Sequence, residues 1–110
     1  MWRPIREIKY AYQRMIRGFD DSELWSLDTA LARHILPRLR AFKAGTCGHP
    51  SDLTEQEWDE ILDKMINAFD FIANQMWDYP NESVEEHFER ERQAYEDVKL
   101  FGKWFGALWW

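Results

Sequence analysis

Apolar residues recur every three or four positions over residues 58–76, and this helical period is the strongest constraint on the fold. Immediately upstream, Thr54 and Glu57 have the spacing of a capping box, in which each side chain accepts the backbone N–H of the other residue. The sequence therefore predicts a helix that begins after Thr54 and buries one face. That face comprises Trp58, Ile61, Leu62, Met65, Ile66, Phe69, Ile72 and Met76.

The same period predicts a helix on each side of the sequence GFDD at residues 18–21. The first helix ends at Gly18, because glycine readily adopts the left-handed conformation of a helix C-terminus. The second helix is capped from residues 20–22 and must kink or split at Pro37, which lacks a backbone N–H. The apolar positions are Trp2, Ile5, Ile8, Tyr12, Met15 and Ile16 in the first helix, and a buried stripe of Leu24, Leu27, Leu31 and Ile35 in the second.

A last helix is predicted after the breaker sequence DYPNE, where Ser83 and Glu86 have the spacing of a second capping box. Alternating apolar runs bounded by turns are absent, so the sequence predicts no strands. We therefore expect one all-α domain over residues 1–110, a compact bundle of four main helices. The apolar positions of the last helix are Phe88, Tyr95, Val98, Phe101 and Phe105.

Charge is distributed unequally along the chain. Residues 1–50 contain nine basic and five acidic residues, residues 51–110 contain five basic and fifteen acidic residues, and the formal net charge is −6. No basic stripe stands alone, so we expect no nucleic-acid partner. The start of the chain lacks the apolar core of a signal peptide, no apolar run is long enough to span a bilayer, and the single cysteine suits a reducing compartment. We expect a soluble intracellular protein without membrane attachment.

The sequence LFGKWFGALWW at the end of the chain contains more aromatic side chains than one helical stripe accommodates. Aromatic residues crowded in this way are typical of protein interfaces. Gly102 and Gly106 would also allow another backbone to approach closely. We therefore expect a homo-oligomer, or a complex with a partner protein, through this segment. The predicted interface residues are Phe101, Trp104, Phe105, Trp109 and Trp110.

The sequence RGFDDSELWSLD contains two residues that helix capping does not explain, Trp25 and Asp28. In a structural interpretation, Asp28 pairs with a nearby arginine (Arg14, Arg17 or Arg33) and fixes the register of the helices. In a functional interpretation, these side chains surround a nucleotide-like ligand, because Arg binds phosphate, Trp stacks on a ring and Asp accepts hydrogen bonds from a base or sugar. The candidate ligand-binding residues are Arg17, Trp25, Asp28 and Arg33, with Arg14 and His49 as weaker candidates.

Catalytic and metal-binding patterns are weak. Cys47 and His49 share a glycine loop without a third residue to orient them, so a thiol enzyme has little support. His34 is expected to be packed and hydrogen-bonded, and no zinc-type spacing occurs. Glu60 and Asp63 recur at the three-residue spacing of metal-binding carboxylates, but their helical phase directs them to solvent. We expect no metal, no cofactor and no catalytic activity.

Three blocks of the sequence cover most of the chain: RGFDDSELWSLDTALARHILPRLRAF, GHPSDLTEQEWDEILDKMINAF and LFGKWFGALWW. In content and order they resemble a widespread group of small bacteriophage-encoded proteins, with the pattern RG-aromatic-D-x-x-x-x-W-x-LD. The loop CGHP departs from that pattern, because its glycine precedes His49. The group has no assigned activity, so the resemblance implies no site residues. It implies a phage protein that acts in the cytoplasm of a host bacterium.

These observations predict a non-catalytic protein that counters a host process. The first hypothesis is that it sequesters a small phosphate-bearing nucleotide signal of host immunity in a pocket between subunits. The alternative is a helical inhibitor or adaptor that binds a host or phage protein through its aromatic C-terminal helix. A metal-dependent nucleotide pyrophosphohydrolase that uses Glu60 or Asp63 is the weakest hypothesis, and a structural part of the virion also remains open.

Overall fold

The computed structural model describes residues 2–46, 48–75 and 82–109, except for the side chains of residues 2–4 and 75. Throughout this part of the chain the regular structure is helical, which confirms the predicted all-α fold with four main helices. A 3₁₀ turn (Asp21–Leu24) joins the first two helices, a π-helical turn (Phe71–Gln75) extends the third, and a 3₁₀ turn (Phe105–Ala107) follows the fourth. The helices are α1 (Trp2–Arg17), α2 (Leu27–Gly45), α3 (Glu55–Asp70) and α4 (Val84–Lys103).

The ends of the helices follow from capping chemistry. The N–H of Glu57 donates to the hydroxyl of Thr54 at 3.1 Å, and the N–H of Thr54 donates to the carboxylate of Glu57 at 3.0 Å, which confirms the first capping box. Ser83 caps α4 by accepting the N–H of Glu86 at 3.1 Å. Gly18 ends α1 with a φ of 83°. Residues 78–81 of the predicted breaker DYPNE lie outside the described residues.

The core lies between α2, α3 and α4, with α3 in the middle. The rings of Phe69 on α3 and Phe101 on α4 meet edge to face, with their centroids 5.1 Å apart. The predicted buried face of α3 is confirmed, although Met76 lies outside the described residues. Its buried members are Trp58, Leu62, Met65, Phe69 and Ile72, while Ile61 and Ile66 are half-buried.

The buried face of α2 differs from the predicted stripe. The buried residues are Ala32, Leu36 and Leu39, whereas Leu24, Leu27 and Leu31 are exposed and Ile35 is half-buried. We attribute the difference to Ala32, because a small side chain allows a neighbouring helix to approach closely.

Two further predictions for α2 concern His34 and Pro37. His34 is exposed, so its prediction as a packed histidine is wrong: it lies on the side of α2 away from α3. The helix runs through Pro37 without splitting, and a kink there stays a prediction.

α1 lies apart from this core. Within the described residues its backbone approaches only the 3₁₀ turn that follows it, and its buried Tyr10 packs against Trp25. The protein is therefore extended. Its Cα radius of gyration is 17.1 Å, whereas a compact domain of this length has a value of about 13 Å. None of the described helices is long and apolar enough to cross a membrane.

Candidate functional site

The junction between α1 and α2 is organised by the buried carboxylate of Asp20. This carboxylate accepts the N–H of Ser22 at 2.9 Å and also the Ser22 hydroxyl, while the Asp20 N–H donates to Glu23 at 2.7 Å. The guanidinium of Arg14 pairs with the same carboxylate at 2.5 Å. The Ser22 hydroxyl and Arg14 together hold the pKa of Asp20 below its ordinary value of 3.8. Asp20 therefore acts as the N-cap of the 3₁₀ turn, whereas the second helix, which was predicted to be capped from residues 20–22, begins at Leu27 after Ser26.

Asp21 binds the remaining polar groups at the end of α1. Its carboxylate accepts the side-chain amide of Gln13 at 2.8 Å and pairs with Arg17. These bonds hold the pKa of Asp21 below 3.8, with the Gln13 bond contributing most. The charges of the two arginines that were predicted to bind a ligand anion are therefore compensated by aspartates of the same chain.

The other residues of the predicted nucleotide pocket have separate surroundings. Arg33 donates from Nε to the carbonyl of Ala73 at 3.3 Å. Trp25 packs edge-on against Tyr10, with the ring centroids 6.2 Å apart. Asp28 is exposed at the start of α2 and forms no ion pair with a described residue. Its predicted pairing with an arginine is therefore wrong, because the aspartates of the turn bind the arginines of α1.

Two of the predicted interface aromatics are anchored on the core instead. Phe101 packs on Phe69, and the ring of Trp104 lies edge-on to the buried ring of Trp58, with the centroids 6.0 Å apart. Both residues are half-buried. The phase of α4 directs Phe101 and Trp104 towards α3, and a part for their exposed edges in an interface stays a prediction.

The remaining aromatics of the segment are displayed to solvent. Phe105 is 63% exposed and Trp109 is 76% exposed. The ring of Phe105 meets that of Phe101 edge to face, with the centroids 5.3 Å apart, so Phe105 is held in place from one side. Trp110 lies outside the described residues.

Trp109 lies at the rim of a cleft with a volume of about 500 Å³. The loop after α2 contributes Gly48, His49 and Pro50 to the cleft, and the buried Trp58 and Ala107 also line it. His49 lies there rather than in the junction pocket predicted from the sequence, because the 19 residues of α2, about 28 Å of helix, separate the loop from the junction. The cleft was not predictable from the sequence, because tertiary packing brings the loop and the C-terminal segment together.

The carboxylates considered for a metal enzyme are confirmed to face solvent. Glu60 accepts the amide of Gln56 at 3.3 Å. Asp63 pairs with Lys43 at 2.6 Å and raises the pKa of that ammonium group. Within the described residues, no three His, Cys, Asp or Glu side chains are placed to hold a metal ion. Cys47 lies outside these residues.

Comparison with known proteins assigns no function to these surfaces. No protein-family model, curated protein or solved structure matches the chain. A functional interpretation therefore depends on the arrangement of side chains at two places. At the junction, the arginines of α1 are already paired. At the C-terminal end, two aromatic rings are exposed beside a cleft.

Proposed function

We propose that this protein is a non-catalytic binding protein that attaches to another protein through its C-terminal aromatic face. We define this face as Phe105, Trp109 and the cleft beside Trp109. The observation that supports the proposal is the exposure of two large rings next to a cleft that a partner's side chain can enter. Large aromatic anchors, Trp above all, contribute most of the binding energy in many protein interfaces.

The anchoring of the segment favours tight binding. Phe101 and Trp104 attach the face to the core, and the ammonium group of Lys103 lies 5.4 Å from the ring centroid of Trp104. A surface held in one conformation loses little entropy when it binds. A Cβ added at Gly102 or Gly106 would meet no atom within 4 Å, so a partner's backbone has room to approach.

The resemblance to bacteriophage proteins favours a target in the infected bacterium, either a host protein or another phage protein. The partner is expected to insert an apolar side chain beside Trp109. Sequestration of a nucleotide has less support. Arg14 and Arg17 are paired with aspartates, and Arg33 donates to a backbone carbonyl, so a phosphate would have to compete with these bonds.

Capture by matched tryptophan variants tests the proposal. The wild-type chain, Trp109→Ser and Trp25→Ser are each immobilised and exposed to an extract of the cells in which the protein is naturally made. Trp25 is a matched control, because it is 70% exposed and far from the cleft. It precedes the start of α2, whereas the loop that lines the cleft follows the end of α2. We expect mass spectrometry to identify a protein that wild type and Trp25→Ser retain and Trp109→Ser loses.

Two results would contradict the proposal. One is a captured protein that both variants retain or both lose. The other is a discrete nucleotide-sized mass on the wild-type chain in native mass spectrometry that disappears in Arg33→Ala, since that result would support sequestration of a small molecule.

A further inference from the structure

α1 presents an apolar stripe that no described part of its own chain covers. The opposite face of the helix carries Gln13, Arg14 and Arg17, which bond to the aspartates of the junction. Because this polar face points to the chain's own turn, the apolar face points away from it. Contiguous exposed apolar surface of this kind marks an interaction site. The stripe comprises Ile5, Ile8, Tyr12, Met15 and Ile16, all exposed.

A second apolar surface lies between α2 and α4, which flank α3. Phe42 of α2 and Phe101 of α4 line a groove of about 240 Å³ towards the ends of these two helices. Burial contributes most to raising the pKa of Tyr95 on α4, Glu91 contributes next, and the carboxylate of Asp28, towards the start of α2, also contributes. Asp28 of α2 therefore lies near Tyr95 of α4, and Phe42 of α2 lies near Phe101 of α4.

Nearer the start of both helices, four further apolar side chains are exposed. Leu27 and Leu31 lie one turn apart on α2, and Phe88 lies two turns before Tyr95 on the same face of α4. We call the surface from these residues to Phe101 the α2–α4 groove. A helix laid along it would convert three packed helices into a four-helix arrangement.

We propose that α1 of one copy occupies the α2–α4 groove of a second copy, and that the exchange is reciprocal in a two-fold dimer. The 16 residues of α1 span about 24 Å, which fits alongside the 19 residues of α2 and the 20 residues of α4. A reciprocal exchange produces two such contacts, as a two-fold interface requires.

Charge complementarity supports this occupant. The junction aspartates engage Lys9, Arg14 and Arg17 of α1, but not the exposed Arg6. Residues 84–91 at the start of α4, which contain four acidic residues and one basic residue, offer complementary charge to Arg6. The junction prevents α1 from folding back into its own groove, because the Arg14–Asp20 pair and the turn capped by Asp20 fix the direction in which α1 leaves.

The pairing of the cations on α1 argues against a membrane as the occupant. Amphipathic helices that lie on membranes direct free Lys and Arg side chains towards anionic lipid. Here Arg14 pairs with Asp20, while Lys9, at 3.7 Å, and Arg17 both approach Asp21. Three of the five cations of α1 are therefore already compensated within the chain.

Mass measurements on matched variants test the proposal. The helix variant combines Ile8→Glu and Met15→Glu, and the groove variant combines Leu31→Glu and Phe88→Glu. Phe105→Glu is the control, because Phe105 is 63% exposed and Phe88 is 62% exposed. By sedimentation equilibrium we expect wild type and the control to be dimers, and each double variant to have a dimer dissociation constant raised by about 100-fold or more. All substituted residues are exposed in the single chain, so circular dichroism should show unchanged helix content.

Mixing the two double variants identifies the mode of pairing. A mixed dimer retains one intact contact between a helix and a groove, so we expect the equimolar mixture to form a heterodimer when neither variant associates alone. A monomeric wild type, including one that co-sediments with phosphatidylglycerol vesicles, would overturn the proposal. A dimer that survives the helix variant, or a mixture that stays monomeric, would also overturn it. These variants leave the C-terminal aromatic face intact, so this result is independent of the proposed function.

Discussion

Leu62 provides the most quantitative test of where the core lies. Its side chain is 0% exposed, in the cluster that α2, α3 and α4 form together. Leu62→Ala removes three buried carbon groups at about 0.8 kcal/mol each, and the remaining cavity adds to the loss. We therefore expect the free energy of unfolding to fall by about 3–4 kcal/mol, within the usual range for buried leucines. With an m value of about 2 kcal/mol per molar urea, the unfolding midpoint falls by about 1.5–2 M.

Ile8→Ala is the matched comparison, because Ile8 is 70% exposed in the single chain. At protein concentrations low enough to keep the chain monomeric, we expect its free energy of unfolding to change by less than about 0.5 kcal/mol. Urea titrations followed by circular dichroism measure both variants. A loss below about 1 kcal/mol for Leu62→Ala, or an equal loss for both variants, would refute the assignment of the core.

Three further predictions concern the caps and the junction. Thr54→Ala removes the N-cap of α3 and should lower the free energy of unfolding by about 1 kcal/mol in urea titration, whereas Thr54→Ser should retain most of it. Gly18→Ala places a Cβ at a φ of 83°, so we expect a loss of about 1 kcal/mol from backbone strain and none from collision, measured in the same way. The pKa of Asp20 lies below 3.8 when folded, so its ionised form stabilises the junction above that pH, and the stabilisation is lost as the pH falls through the folded value. The difference in Tm between wild type and Asp20→Asn should therefore shrink in acid; a constant difference would contradict the ion pair.

α3 shows which parts of the structure are predictable from the sequence. Its start depends on the local bonds between Thr54 and Glu57, and its buried face follows from a single apolar stripe. Local chemistry of this kind does not require knowledge of the neighbouring helices. The end of α1 at Gly18 was predictable for the same reason.

The buried face of α2 was not predictable, because the helix has two adjoining apolar stripes. Leu27 and Leu31 form one stripe, and Leu36 and Leu39 lie in the other; only packing against α3 decides between them. The partners of the arginines were ambiguous for a similar reason. Several aspartates lie within reach of Arg14 and Arg17 along the sequence, and the geometry of the turn selects Asp20 and Asp21 over Asp28.

The C-terminal segment is predictable from the sequence in one respect and not in another. Its excess of aromatic side chains predicts an interface, but the sequence does not separate the rings that anchor the segment from those that remain free. Phe101 and Trp104 are anchored because α4 directs them onto α3, and Phe105 and Trp109 remain exposed. The cleft beside Trp109 depends on a loop about 60 residues earlier in the chain.

Site-specific photocrosslinking is the most direct test of the proposed binding function. A photoreactive phenylalanine analogue replaces Phe105 in one preparation and Trp25 in a second, and each is irradiated in cells that naturally make the protein. We expect a discrete adduct with one other protein from position 105 and none from position 25. An adduct at position 105 whose mass is twice that of the chain, or the same adducts from both positions, would contradict binding of a separate protein through the C-terminal aromatic face.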